Sequence, residues 1–200
     1  KEWFVLGVYA SAVHAKWTGN DGKIKIKALA VASEPEIFWK GDRERGEKII
    51  SQIAVPTEVG RLELADERFN GPSGIELDRS YLEPLGLTRG EVWLCDLLPY
   101  SRLNDGQLKA INREYEPIRL KYGLSEITLG KVPSRFCNEQ RIEEILTELR
   151  QSKARNIILL GDVPIREFLN RFDKRYSKVS DFGEYGNTHK VNIGGEEFNV

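Results

Sequence analysis

The chain has 200 residues, the length of one ordinary domain or slightly more. It is 40% hydrophobic and 30% charged, which allows a sizeable core and excludes a disordered, collagen-like or mucin-like chain. Thirty Lys and Arg stand against 31 Asp and Glu, so the net charge of −1 gives no general electrostatic case for nucleic-acid binding, although a local basic groove is compatible with it.

No apolar run approaches the roughly 18 residues of a membrane span. Lys1 leads straight into a strand-like segment without a secretory pattern, so no membrane partner and a cytoplasmic location are expected. Two cysteines, Cys95 and Cys137, and two histidines are too few for a convincing four-ligand zinc or iron–sulfur site. Free thiols and no metal or cofactor are the expectation. The sequence starts at Lys, contains no Met and stops inside a strand-like segment, so we expect a single domain, 1–200, cut short at both ends.

Trp3 to Val8 is a continuous apolar run, suited to a strand buried on both faces of a parallel sheet. Ala10 to Gly22 reads as a loop turning at Thr18 to Gly22, and Ile24 to Val31 as a second strand. Ser33 to Gly74 is loop-rich, with a short helix near Arg43 to Gln52 and a turn at Asn70-Gly71-Pro72-Ser73-Gly74. Ile75 to Leu85 reads as helical.

Glu91 to Leu98 is the next buried strand, closed by Pro99. Asn104 or Asp105 caps a helix running to about Leu120, with Gly123 as its stop. Asn138 to Ser152 carries an amphipathic spacing, Ile142, Ile145, Leu146 and Leu149. Asn156 to Leu160 is a further strand, and Asp162 is expected to cap the helix that follows. Gly194-Gly195 signals a closing hairpin. Strands alternating with helices predict an α/β fold, a three-layer α/β/α sandwich with a short, mainly parallel central sheet.

In such a sheet ligands bind beyond the carboxyl ends of the strands. Three ends stand out: Gly7-Val8-Tyr9-Ala10-Ser11, Cys95-Asp96-Leu97-Leu98-Pro99-Tyr100 and Gly161-Asp162-Val163-Pro164. Asp96 interrupts an apolar strand, where an acid must be paired or face a pocket. Ser11 and His14 are three apart, but no G-x-S-x-G elbow accompanies them. His14, Lys16, Arg102, Arg135 and Arg166 are candidate phosphate contacts, with solvated surface charge the ordinary alternative. His189 reads as a loop residue. Neither a P-loop nor G-x-G-x-x-G occurs, which disfavours NTPases and Rossmann dehydrogenases, and the zinc-deaminase signature is missing.

These strand ends resemble the uracil-DNA glycosylase superfamily, as a divergent branch. The family's first strand ends in G-x-D-P-Y, G-x-N-P-G or a related motif, where this chain has Gly7-Val8-Tyr9-Ala10-Ser11. Its next strand ends at an Asn that reads the base edge, where this chain has Asp96 in VWLCDLLPY. Ile157 to Gly161 resembles the family's L-L-x-G before a helix. The blocks Val5 to Trp17, Asn70 to Gly74, Trp93 to Arg102 and Ile157 to Phe168 carry the likeness.

The resemblance implies a DNA glycosylase that flips a damaged or deaminated base into a pocket and cleaves its N-glycosidic bond, with DNA or a nucleotide as partner. Gly7, Val8, Ala10, Ala12 and Asp96 would bind the base, and Tyr9 and Ser11 take the catalytic positions. The departures are specific. Tyr9 stands where the motif has Asp or Asn, and a phenol is a poor general base near neutral pH. Ala10 replaces Pro. Asp96 replaces Asn, and a carboxylate only accepts hydrogen bonds unless protonated.

The family's stacking aromatic would fall near Leu29 or Ala30, so Tyr9, Trp17 or Phe38 is the expected substitute. The family's H-P-S-like motif does not occur and is expected beyond Val200. Two alternatives remain: a non-catalytic nucleic-acid or nucleotide binder without the acid, and a small-molecule hydrolase using Ser11 and His14.

Overall fold

The computed structural model describes residues 1–200 except Tyr185. Its strands are β1 (Trp3–Tyr9), β2 (Ala12–Thr18), β3 (Ile24–Ser33), β4 (Arg61–Leu64), β5 (Val92–Leu98), β6 (Arg102–Leu103), β7 (Gly130–Lys131), β8 (Asn156–Leu159), β9 (Lys190–Ile193) and β10 (Glu196–Asn199). Its α-helices are α1 (Arg43–Ser51), α2 (Pro72–Leu77), α3 (Asp105–Ala110), α4 (Glu116–Tyr122), α5 (Glu139–Ser152) and α6 (Asp162–Glu167). Contacts divide the chain into two compact units: Lys1–Tyr9, Asp78–Pro99 and Pro133–Val200 in the first, and Ala10–Leu77 with Tyr100–Val132 in the second.

The first unit carries a five-stranded sheet in the order β5-β1-β8-β10-β9. β5, β1, β8 and β10 run parallel, and β9 returns antiparallel through the Gly194-Gly195 hairpin. The fold is thus α/β with a mainly parallel sheet. β1 reads as an unbroken apolar run because it pairs on both edges, with β5 and with β8. Val5 and Leu6 have no exposed surface. The core joins Phe4, Leu6, Cys95, Leu97 and Ile157 of the sheet to Ile142, Ile145, Leu146 and Leu149 of α5 and to Ile165 of α6. Each such side chain contributes about 1.5–3 kcal/mol by leaving water.

The second unit is built on an antiparallel sheet, β3-β2-β4. The sequence reading of 10–22 as a loop is corrected here: Ala12–Thr18 is a strand, and only the turn after it was recognised. His14 and Lys16 broke the apolar pattern, yet Val13, Ala15 and Trp17 are buried between two partner strands. The strand expected at 24–31 is present, but it belongs to this second sheet and not to the parallel one. Gly41, Gly71 and Gly74 let 38–41 lie directly on 70–74. A Cβ on Gly74 would sit 2.2 Å from the Phe38 carbonyl oxygen. Phe38 itself is buried with φ +54.

The amphipathic helix at 138–152 and the capped helix at 104–122 are present. Asn138 accepts from the Arg141 N–H, and Asn104 forms a capping box with Gln107. In the second helical stretch a wider turn, Ile111–Tyr115, separates α3 from α4. Asp162 does not cap α6. Gly161 holds that position with φ +91, and the Asp162 carboxylate instead accepts the Val179 N–H at 2.8 Å. Cys95 and Cys137 are buried free thiols.

Candidate functional site

The chain passes from β1 to β5 on one side of it, then to β8 on the other, so the order reverses at β1. Ligand crevices in open α/β sheets form at such a reversal, beyond the carboxyl ends of the strands. Here that crevice falls between β1 and β8; Gly7 of β1 and Asp96 of the edge strand β5 are register partners near the carboxyl ends on the other side of β1.

Asp96 is 2% exposed. Among the described residues its carboxyl has no hydrogen-bond partner. Strand alternation puts it on the sheet face opposite Cys95 and Leu97, whose side chains join the core that includes α5. Burial pushes the Asp96 carboxyl up to about 7; Arg141 draws it down and Glu148 adds to the upward push. Desolvation outweighs the cation.

Arg141, on the first turn of α5, is a residue that the sequence reading missed. Its Nη2 donates to the Asp96 carbonyl oxygen at 2.7 Å and to Cys95 Sγ at 3.3 Å, and its Nε donates to the Leu97 carbonyl oxygen at 3.2 Å. Its Nη1 donates to Glu144 and to Glu148, each at 3.1 Å. The second Glu148 oxygen accepts the Trp93 indole N–H at 3.1 Å. One guanidinium thus ties three consecutive residues at the end of the edge strand β5 to α5. The only trace in the sequence is an Arg with Glu three and seven residues on, an ordinary helical spacing.

The other first-unit candidates are Val8, half-buried on β1, Tyr9 and Arg166. The Tyr9 ring is half-buried and lies parallel to Phe136, with centroids 6.3 Å apart. Arg166 is exposed and bonds Glu167 at 3.2 Å.

Ala10, Ser11, Ala12, His14, Lys16 and Arg102 belong to the second unit. Ala10 and Ala12 are buried. The Ser11 carbonyl accepts the Ser101 hydroxyl and the Glu34 N–H, and its own hydroxyl is 3.4 Å from that of Ser73. His14 is 9% exposed, and its Nε2 lies 2.8 Å from Gln107 Nε2. The capping box commits Gln107 Oε1 to the Asn104 N–H, so the Gln107 amide donates to His14. The imidazole is then neutral, with its proton on Nδ1. Burial also lowers its pKa, against the raising effect of the Phe69 and Ala12 carbonyls.

The alternative of a Ser11–His14 pair finds no such pairing here: His14 is engaged by Gln107, and Ser11 has Ser73 as its hydroxyl neighbour. Asn70 accepts the His14 N–H at 2.8 Å and donates to the His14 and Ala65 carbonyls. Lys16 pairs with Glu63 at 3.1 Å. Arg102 lies over Tyr100, 5.9 Å from the ring centroid. Of the proposed stacking aromatics, Trp17 is a core residue whose indole donates to the Val59 carbonyl.

Among the described residues no cluster of three or more His, Cys, Asp or Glu side chains could hold a metal, and no helix is long and apolar enough to cross a membrane. In comparisons with known proteins, the chain matches no family model, no curated protein and no solved structure.

Proposed function

We propose that this chain is a DNA glycosylase-like protein that takes a flipped base at the carboxyl ends of β1 and β5, with Asp96 meeting the base edge. In this reading the parallel sheet is the centre of a three-layer α/β/α sandwich. The observation that carries the proposal is Asp96 itself: a buried carboxyl with no hydrogen-bond partner among the described residues, near the carboxyl end of a strand of the parallel sheet and opposite a glycine. Buried polar groups are nearly always bonded, and a perturbed acid in such a place is the mark of a site. The strand-end resemblance supplies the substrate class, a nucleobase in DNA, with the backbone around Gly7 and Val8 beside the base.

A second reading is a binder of nucleic acid or nucleotide that does not cleave. Tyr9 favours it, because an aromatic ring stacked on Phe136 occupies the position where the family carries its acid.

Oligonucleotides containing one uracil, hypoxanthine or xanthine, single- and double-stranded, separate the two. Alkali-labile breaks at the modified base, lost in Asp96→Leu, establish the glycosylase. Tight binding without breaks establishes the binder. Neither breaks nor any preference for a modified base removes both.

A further inference from the structure

We propose that Asp96 works as a neutral carboxylic acid, its carbonyl oxygen accepting and its O–H donating, so that this site takes a base edge with one donor beside one acceptor. The inference deepens the base-binding reading and rests on it.

Three observations carry it. The carboxyl is buried, and no N–H or O–H among the described residues points at it to hold a charge. The cation acting on it is committed elsewhere: Arg141 spends its donors on the Asp96 and Leu97 carbonyl oxygens, Cys95 Sγ, Glu144 and Glu148. The partner across the ladder, Gly7, has no side chain, and Tyr9 is the next residue of β1 on that face. The charged groups acting on Asp96 are Arg141 and Glu148, both of α5, and the adjoining Cys95 thiol is pushed upward by burial. The direction of the Asp96 shift agrees with this geometry.

An ionised carboxylate has only acceptors. Against uracil it could take N3–H but would set its second oxygen against O4. The neutral acid matches both atoms, as the amide of an asparagine would. The same holds for N1–H and O6 of hypoxanthine. Once ionised, the group suits an edge with two adjacent donors, such as N1–H and the amino group of guanine.

The test measures affinity for a single-stranded oligonucleotide carrying one 2′-fluoro-2′-deoxyuridine, which resists cleavage, relative to the same strand without it, from pH 5.5 to 8.5. The expected result is a preference that falls about tenfold per pH unit once the acid ionises, and a flat profile in Asp96→Asn. A flat wild-type profile, or an equal fall in Asp96→Asn, overturns the inference and leaves base binding standing. No preference at any pH in either protein overturns the base-binding reading together with the inference. Should Asp96→Asn fail to fold, carboxyl-carbon NMR of the wild-type protein decides: an Asp96 midpoint near the ordinary 3.8 overturns the inference, and one near neutrality supports it.

Discussion

Arg141 donates a 2.7 Å hydrogen bond to the main-chain oxygen of Asp96, while the Asp96 side chain lies on the other face of the sheet, away from the guanidinium. The cation therefore fixes where the acid stands without forming an ion pair with it. Backbone anchoring and charge neutralisation are separated at this residue, and among the described residues the acid has no ion-pair partner.

Stability should reflect that separation. An acid whose folded pKa exceeds its unfolded value holds its proton more tightly when folded, so stability is lost as pH rises from the ordinary 3.8 towards 7. The loss is at most about 4 kcal/mol. Asp96→Asn should be more stable than wild type at pH 8, with the difference closing towards pH 4. Urea denaturation across that range checks it, and a wild-type protein more stable at pH 8 than Asp96→Asn contradicts it.

Arg141→Met removes the anchor of three residues of β5 and leaves Glu148 without its cation. A destabilisation of about 2–4 kcal/mol is expected, with Arg141→Lys in between because it keeps the charge and loses the fork. Chemical denaturation measures both, and equal stability of Met and Lys variants would show that charge plays no part.

In the second unit, Asn70 is 1% exposed and makes three hydrogen bonds to β2 and to Ala65. Asn70→Ala leaves a buried N–H and two carbonyls without it and should cost about 2–3 kcal/mol. Amide hydrogen exchange should show the loss first at His14, and unchanged protection there counts against the account.

Two glycines should behave differently. Gly74→Ala would place a Cβ 2.2 and 2.4 Å from the carbonyl oxygens of Phe38 and Trp39, backbone atoms that cannot rotate away. Gly86→Ala meets no atom within 4 Å and carries only the left-handed φ of +67. Gly86→Ala should cost about 1 kcal/mol. Gly74→Ala should cost several-fold more, as read by the shift in melting temperature.

Tyr9→Phe keeps the ring parallel to Phe136 and removes only the hydroxyl. On the proposed base-binding reading, affinity for a uracil-bearing oligonucleotide should stay within about twofold, whereas Tyr9→Ala loses the ring contact with Phe136 and should lower stability by about 0.5–1.5 kcal/mol, read by chemical denaturation. A large loss in Tyr9→Phe would instead give the hydroxyl a direct role at the base.

Local pattern by itself determined the parallel strands and the long helices. The apolar runs at β1, β5 and β8, the 3–4 spacing on α5 and the Gly194-Gly195 turn depend on residues near in sequence, and their periodicity survives in the fold. The odd acid at Asp96 was legible for the same reason, since it breaks a run. Tertiary structure decided what those pieces meet. β2 became a strand because β3 and β4 pair both its edges and its side chains enter two hydrophobic clusters, with Leu103 and Ile111 and with Trp39 and Ile50, although His14 and Lys16 obscure its alternation. Arg141 lies 45 residues from Asp96, and an ion-pair spacing on a helix carries no sign of which distant carbonyl it will reach. Hydrogen bonds between segments remote in sequence, and the desolvation that accompanies them, exist only once the chain is packed.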